Sequence, residues 1–278
     1  MSFRVSSQSH SRASCSADDA RESEREIITH DECTAPPSQG QGVVVVTGRS
    51  VESRGGMILT HVTALNASHI VLASGSPRRR DILRALGLTD VVVRASSFAE
   101  DLDKNAYDGA HAYAQATAMA KARDVYEMFV RDGGGDVGDG VPDVIIGADT
   151  VVESRDGAVM EKPSDEREAK DMLRALSNGS SKVHTGVAIL LPKVSAVTGV
   201  FERGFSETTT VEFAELTEEE IDAYVATGEP FDKAGGYGIQ GQAAAFIKGI
   251  VGDYYNVMGF PMHAFSRELS ALVPLFVK

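Results

Sequence analysis

Between Asp143 and Glu153 the chain reads DVIIGADTVVE, which has the β-branched density of a buried strand and yet carries a carboxylate, Asp149. The runs around it alternate in kind. From His69 the strand-like HIVLAS gives way to a helical pattern at 78 to 86, then to DVVVRAS, then to a long helical stretch from about Ala110 to Val130. This order specifies an α/β fold. Further on, Ser164 can cap a helix whose Ala169, Met172, Leu173 and Leu176 fall on one face, with Asn178 and Gly179 as its stop. VHTGVAILLP reads as strand again, and the polar and β-branched alternation from Val197 to Phe213 reads as antiparallel strands. Thr217 and Glu220 match a capping box for a helix ending near Gly228, and AAAFIKGIV at 243 to 251 reads as strand. A terminal helix opens at Pro261 and buries Phe265, Leu269 and Leu272. The chain shows no internal repeat.

What comes before His69 differs. Residues 1 to about 42 are rich in Ser, Arg, Asp, Glu and Gln and too polar to form a core, which predicts a disordered extension. The short apolar pieces VVVV at 43 to 46 and MILTHV at 57 to 62 could add an edge hairpin. Residues 1–66 are therefore expected to be an extension and 67–278 the folded domain. The first sixteen residues hold Arg4 and Arg12 but no acid and faintly resemble an organelle transit segment, a pattern that Asp18, Asp19 and Glu22 break. GGGDVGDG at 133 to 140 is expected to be a flexible surface loop.

Charge narrows the function classes. With 40 acidic against 27 basic side chains and a formal net charge of −13, nonspecific adherence to nucleic acid or to an anionic membrane is disfavoured. An anion bound by such a chain needs a local cationic site. No apolar run approaches the roughly 20 residues that span a bilayer. Cys15 and Cys33 both lie in the polar extension, so the expected core has neither disulfide nor thiolate metal ligands, and a reducing, cytoplasmic compartment fits.

Against that acidity, LASGSPRRRD at 72 to 81 stands out. An apolar run ends in small residues, Ser76 is suited to cap a helix, Pro77 suits its first position, and Ile82, Leu83 and Leu86 make an apolar stripe. The stretch thus predicts strand, tight turn and helix start. Backbone N–H groups there attract anions, and Arg78 and Arg79 add forked donors, while Arg80 is expected to face solvent. The pattern equally describes a solvated basic helix start, and the stretch alone does not separate the two. It is not a P-loop, because GxxxxGK[ST] is absent.

Asp149 follows the strand-like VIIGA, where open α/β sheets place ligands, and it suits a divalent ion or the orientation of a water. The same placement also describes a strand-end turn in which Asp149 and Thr150 bond to backbone. Glu100 after the preceding short strand and Lys162 beyond Asp149 favour the first reading, since paired carboxylates with cations are what metal-assisted phosphoryl chemistry needs. Lys121 on the long helix means little alone. In GEPFDKAGGYGIQG, Gln240 offers donor and acceptor to a base edge, in a segment that also reads as a flexible turn. The histidines show no metal spacing and none is assigned to catalysis. No GxSxG elbow surrounds Ser74 or Ser76, so they point to capping or phosphate contact.

Together LASGSPRRRDIL, FAEDLD, AKA around Lys121, VIIGADTVV, EKP, TGV, GEPFDKAGGYGIQG and GDYYNVMGFP resemble the Maf family of nucleoside triphosphate pyrophosphatases, also called septum formation inhibitor proteins. The resemblance runs from about His69 to the C-terminus. It implies an elongated, two-lobed mixed α/β sheet with flanking helices and a central cleft, similar to inosine triphosphate pyrophosphatases, and in some cases a homodimer. It implies hydrolysis of a nucleoside triphosphate to monophosphate and pyrophosphate with Mg²⁺ or Mn²⁺. By matching positions Asp149 is the proton acceptor and Arg78 contacts substrate; Ser74, Arg79, Lys121 and Lys162 lie on the phosphate side, and Glu100 joins Asp149 as metal ligand. Thr150 and Gln240 resemble the subgroup acting on dTTP and UTP rather than that acting on 7-methyl-GTP.

Two positions depart from the family pattern. Glu161 stands where many members have Gly, adding negative charge beside Lys162, and Ser181 stands where a His often precedes the V-x-TGV strand. The rival implied by the family's name is a nucleotide-binding regulator of cell division without turnover; an intact set of acids and cations argues against it.

Overall fold

The computed structural model describes residues 58–132, 140–194 and 200–277. The polar extension with its two cysteines, VVVV at 43 to 46, and residues 133–139 of the glycine-rich loop lie outside the described residues. A 3-10 turn at Ile58–Thr60 leads into helix α1 (Val62–Asn66), so the described residues of MILTHV, 58 to 62, lead into a helix instead of an edge hairpin, and Leu65 is already buried in the core. Strand β1 (Ile70–Ala73), helix α2 (Pro77–Ala85), strand β2 (Val91–Val93), helix α3 (Ala110–Arg131) and strand β3 (Val144–Glu153) follow. Then come β4 (Val159–Met160), α4 (Glu166–Leu176), β5 (Ser180–Leu191), β6 (Phe201–Phe213), α5 (Glu218–Ala226), β7 (Ile247–Val251), α6 (Tyr254–Met258) and α7 (Met262–Phe276). Among the described residues no helix is long and apolar enough to cross a membrane.

The strands form one mixed sheet in the order β2-β1-β3-β5-β6-β7, with β4 paired to the end of β3. β1 runs parallel to β2 and β3, and the remaining pairs are antiparallel. Because side chains alternate along a strand, each strand feeds two different layers. Val71, Ala73, Ile145, Ala188 and Leu190 face α3, where they meet Ala118, Ala122, Val125 and Phe129. The opposite face carries two separate cores. One gathers Ile70, Leu72, Ile146, Ala148 and Val187 under α2 and α7; the other gathers Val152, Val183, Val211 and Phe213 under α4 and α5. Between them β3 and β5 place a polar pair, Thr150 opposite Thr185. That hydroxyl rung divides the face.

Local signals fared well where partners are close in sequence. The Thr217–Glu220 capping box forms and starts α5, and Gly228 takes a left-handed φ of 77° just beyond its end. α4 buries Ala169, Met172, Leu173 and Leu176 as expected, but its cap is Asp165, which accepts from Glu168 N; the Ser164 amide and hydroxyl both donate to the Glu168 carboxylate instead. Of the stretch from Val197 to Phe213, residues 197–199 lie outside the described residues, and the rest holds one strand, β6, antiparallel to β5 on one side and to β7 on the other, so the alternation there marks the two faces of a single strand. In AAAFIKGIV only the last five residues are strand. A 3-10 turn at Gln242–Phe246 precedes them, where the Glu229 carboxylate accepts from Gln242 N and turns the chain.

Candidate active site

β1 stops at Ala73, opposite Gly147, whereas β3 runs on to Glu153 and gains β4 only at Val152. On that side residues 148–151 of β3 have no strand neighbour, and a cleft of about 260 Å³ fills the notch. α2 and α3 leave on opposite faces, the arrangement at which open α/β sheets bind ligands beyond the carboxyl ends of their strands. The notch explains why distant motifs meet. Ser74, Ser76, Arg78 and Arg79 reach it from the end of β1 and the start of α2, and Lys121 from α3. Asp149 and Thr150 come from β3, Lys162 from just after β4, and Glu100 and Gln240 from loops. Among the described residues five cations line it against three carboxylates, a local positive excess inside an acidic chain.

The two arginines do different work. Arg79 donates from Nε to the Gly259 carbonyl at 2.9 Å, from one terminal nitrogen to Ser74 Oγ at 2.9 Å and from the other to Thr150 Oγ1 at 3.0 Å. A guanidinium carries five N–H bonds. Two therefore remain without a partner among the described residues. Burial pushes this group's pKa down, and nearby Asp149 opposes the shift. Arg78 is engaged elsewhere: its guanidinium donates to the Asp232 carboxylate at 2.6 Å and to the Asp232 carbonyl at 3.0 Å. Burial would raise the Asp232 carboxyl, but hydrogen bonds from Lys233 and Arg78 outweigh it and hold the group below its ordinary value. Ser76 occupies the cap position of α2 without a side-chain cap bond; its amide instead donates to Ser74 Oγ at 3.3 Å. Arg80 is not the solvent-facing residue expected. It sits one turn before buried Leu83, half-buried, with Nε lacking a partner among the described residues.

On the α3 side Lys121 Nζ lies 2.7 Å from Asp149 Oδ1 and 2.8 Å from Glu100 Oε2. Asp149 and Lys121 are both buried, at 7 % and 8 % exposure, so each charge depends on the other. Two glycines allow this. A Cβ on Gly147 would collide with the Ala118 carbonyl, and one on Gly186 with the backbone at Ala114 and Gln115. α3 consequently lies close against the sheet and brings Lys121 down to Asp149. Glu100 reaches the pair from a loop residue at φ 56°, a left-handed conformation uncommon for a side chain with a Cβ.

Lys162 and Gln240 line the cleft with no hydrogen-bond or ion-pair partner among the described residues. Thr150 Oγ1, by contrast, is occupied by Arg79, by Thr185 at 3.0 Å and by the Gly259 carbonyl at 3.4 Å. Glu161 turns away from Lys162: its carboxylate accepts from the Tyr113 hydroxyl at 2.8 Å and from Lys104 at 2.9 Å. Burial and that carboxylate raise the Tyr113 phenol well above its usual range. Ser181 is buried in β5 away from the cleft. Sequence reasoning did not pair Asp232, within the GEPFDK stretch, with Arg78, and it assigned no role to Thr185 of TGV or Asn256 of GDYYNVMGFP, because their partners lie far along the chain.

The Maf-like protein family model matches residues 69–272. A dTTP/UTP pyrophosphatase of Bacillus cereus (strain ATCC 10987 / NRS 248) is 43 % identical over 217 residues, covering 77 % of this chain and 95 % of that protein. A probable bifunctional dTTP/UTP pyrophosphatase/methyltransferase protein of Homo sapiens is 43 % identical over 210 residues, which is 73 % of this chain and 32 % of the human protein. Among solved structures, a HAM1 protein from Coxiella burnetii overlaps 73 % of this chain and 99 % of its own at 14 % identity, with a TM-score of 0.36. The family match runs from the residue before β1 into α7 and encloses the whole notch: the chain belongs to the Maf-like protein family.

Proposed function

We propose that the chain hydrolyses dTTP and UTP to the nucleoside monophosphate and pyrophosphate. The observation that carries this reading is the convergence of Asp149, Lys121 and Glu100 on one wall of a notch whose other walls present Arg79, Arg78 and Lys162. Water attacks the α-phosphorus, the bond from that phosphorus to the oxygen bridging to the β-phosphate breaks, and pyrophosphate departs. Asp149 takes the proton of the attacking water. Lys121 engages Oδ1 of that carboxylate, leaving Oδ2 without a hydrogen bond among the described residues.

The cations hold the leaving group. Among the described residues Arg79 has two uncommitted N–H bonds and Lys162 an ammonium without a partner, and both favour charge that accumulates as the bond breaks. Ser74 Oγ already accepts from Arg79 and from Ser76 N, so its own proton is available to a phosphate oxygen. Arg78 exchanges Asp232 for phosphate. Gln240, with a free amide, pairs with the edge of the pyrimidine.

Glu100 and Asp149 also fit a divalent ion. Among the described residues no group of three or more ligating side chains exists, but Mg²⁺ is commonly held by one or two carboxylates, with phosphates and waters completing its shell. These two converge on a single ammonium, so both can serve one cation. When bound, Mg²⁺ or Mn²⁺ supplies neutralisation of phosphate oxygens and acidification of water.

The test is to incubate the protein with Mg²⁺ or Mn²⁺ and a panel of standard and modified nucleotides, measuring pyrophosphate against orthophosphate. Pyrophosphate from dTTP and UTP is expected. Orthophosphate alone would overturn the bond assignment, a preference for 7-methyl-GTP would overturn the roles of Thr150 and Gln240, and tight binding without turnover would make the protein a nucleotide-binding regulator.

A further inference from the structure

Arg79 is the most completely anchored cation in the cleft, and its anchors have an order. Its terminal nitrogen donates to Thr150 Oγ1, so that oxygen must direct its own proton elsewhere. Thr150 Oγ1 lies 3.0 Å from Thr185 Oγ1, and Thr185 Oγ1 donates in turn to the Asn256 carbonyl at 3.1 Å. Because the Asn256 carbonyl can only accept, the arrangement that uses the shortest contacts has Thr185 donating to it and accepting from Thr150. The chain therefore runs one way, from Arg79 through Thr150 and Thr185 to the Asn256 carbonyl.

Its far end does not move freely. Asn256 is fully buried, with its side-chain amide donating to the Val183 carbonyl and to Thr209 Oγ1, each at 3.0 Å. Thr185 is itself fully buried and does not line the cleft. It touches no ligand. We propose that Thr185 is a positioning residue which, acting through Thr150, fixes the plane of the Arg79 guanidinium and thus the direction of the two N–H bonds left for the triphosphate. The inference rests on the pyrophosphatase reading for its catalytic consequence, but the orientation of the Arg79 donors follows from the hydrogen bonds alone.

Without the Thr185 hydroxyl, the Thr150 proton has the Gly259 carbonyl at 3.4 Å as its remaining acceptor, and turning toward it rotates the lone pair that Arg79 uses. The Asn256 carbonyl keeps the Gly259 N–H at 2.9 Å, so the α6 end stays closed and the fold is retained.

The test uses the full chain with Thr185→Val, which keeps shape and removes the hydroxyl, and Thr185→Ser, which restores it. Affinity for inorganic tripolyphosphate is measured by calorimetry and kcat/KM for dTTP by pyrophosphate release. Thr185→Val is expected to lose about tenfold in both, the scale of one misdirected hydrogen bond. Thr185→Ser is expected to recover most of it, and Thr185→Val is expected to cost nothing further in an Arg79→Lys background, because the effect passes through the guanidinium. Wild-type values for Thr185→Val, failure of Thr185→Ser to recover, or an additive loss with Arg79→Lys would each overturn the proposal. If the wild-type protein released no pyrophosphate from dTTP, the functional reading would fall while the tripolyphosphate ratio still decided the role of Thr185. A wild-type protein that neither bound tripolyphosphate nor released pyrophosphate from dTTP would overturn both.

Discussion

Asp149 and Lys121 form a buried pair in which neither charge has much water, so a substitution there must respect shape as well as charge. Asp149→Asn keeps an oxygen for the Lys121 ammonium while removing the base. The variant is expected to fold and to lose dTTP turnover by a factor on the order of 10² to 10⁴, read as pyrophosphate release; substantial remaining activity would refute the assigned role. His184 poses a different residue-level question. Its Nε2 lies 3.1 Å from Glu153 and its Nδ1 2.9 Å from Thr208 Oγ1, so the neutral ring donates to the carboxylate and accepts from the hydroxyl. Burial pushes its pKa down from 6.5, and Glu153 only partly offsets this. The unfolded chain then takes up the proton first as pH falls. The stability that neutral His184 supports is thus complete above about pH 6.5 and declines as the solution is acidified below it. Melting temperature measured from pH 7.5 down to pH 5.5 (about one unit either side) should fall more steeply in the wild type than in His184→Gln.

At the scale of elements, the close approach of α3 to the sheet determines the site. Gly186 lies against the α3 backbone at Ala114, and its neighbour across the ladder is Asp149. Gly186→Ala must push the helix outward, costing about 1 to 3 kcal/mol of stability and lifting Lys121 from the carboxylate. Denaturant midpoints and dTTP turnover should both drop, with turnover affected further than a stability loss of that size explains; unchanged turnover would separate the helix position from catalysis. The same elements show what sequence can disclose. The capping box at Thr217 and Glu220 was legible because its partners are three residues apart, and the apolar stripe of α4 because helical periodicity is local. The notch was not, since it arises from where β1 stops relative to β3, a register fixed by pairing across some seventy residues of chain. Likewise the Arg78–Asp232 pair joins residues separated by 154 positions, and no local pattern points from one to the other. Glu161 was rightly noticed as a charge beside Lys162, but Tyr113 and Lys104, which draw it aside, become its neighbours only in the folded chain.

For the molecule as a whole, the proposed binding of a polyphosphate by a chain of net charge −13 rests on local charge: long-range repulsion discourages extended polyanions, while the five cations that line the notch among the described residues suit a compact one. The fold class was readable from the alternation of elements, and the candidate site from motif residues that all reach one cleft. Their hydrogen-bonded assignments were not, because they depend on which hydroxyl faces which guanidinium. The Thr150–Thr185 rung has one more consequence. It interrupts the continuity of apolar packing on its face, so that the core under α2 and α7 and the core under α4 and α5 have the makings of distinct cooperative units. On the proposed reading, a triphosphate held by Arg79 on one side and Lys162 on the other would stitch those units together. Hydrogen exchange should therefore slow, on adding dTTP, both in α2 and in the 228–241 segment, and slowing confined to one of them would show that the ligand leaves the two halves to breathe separately.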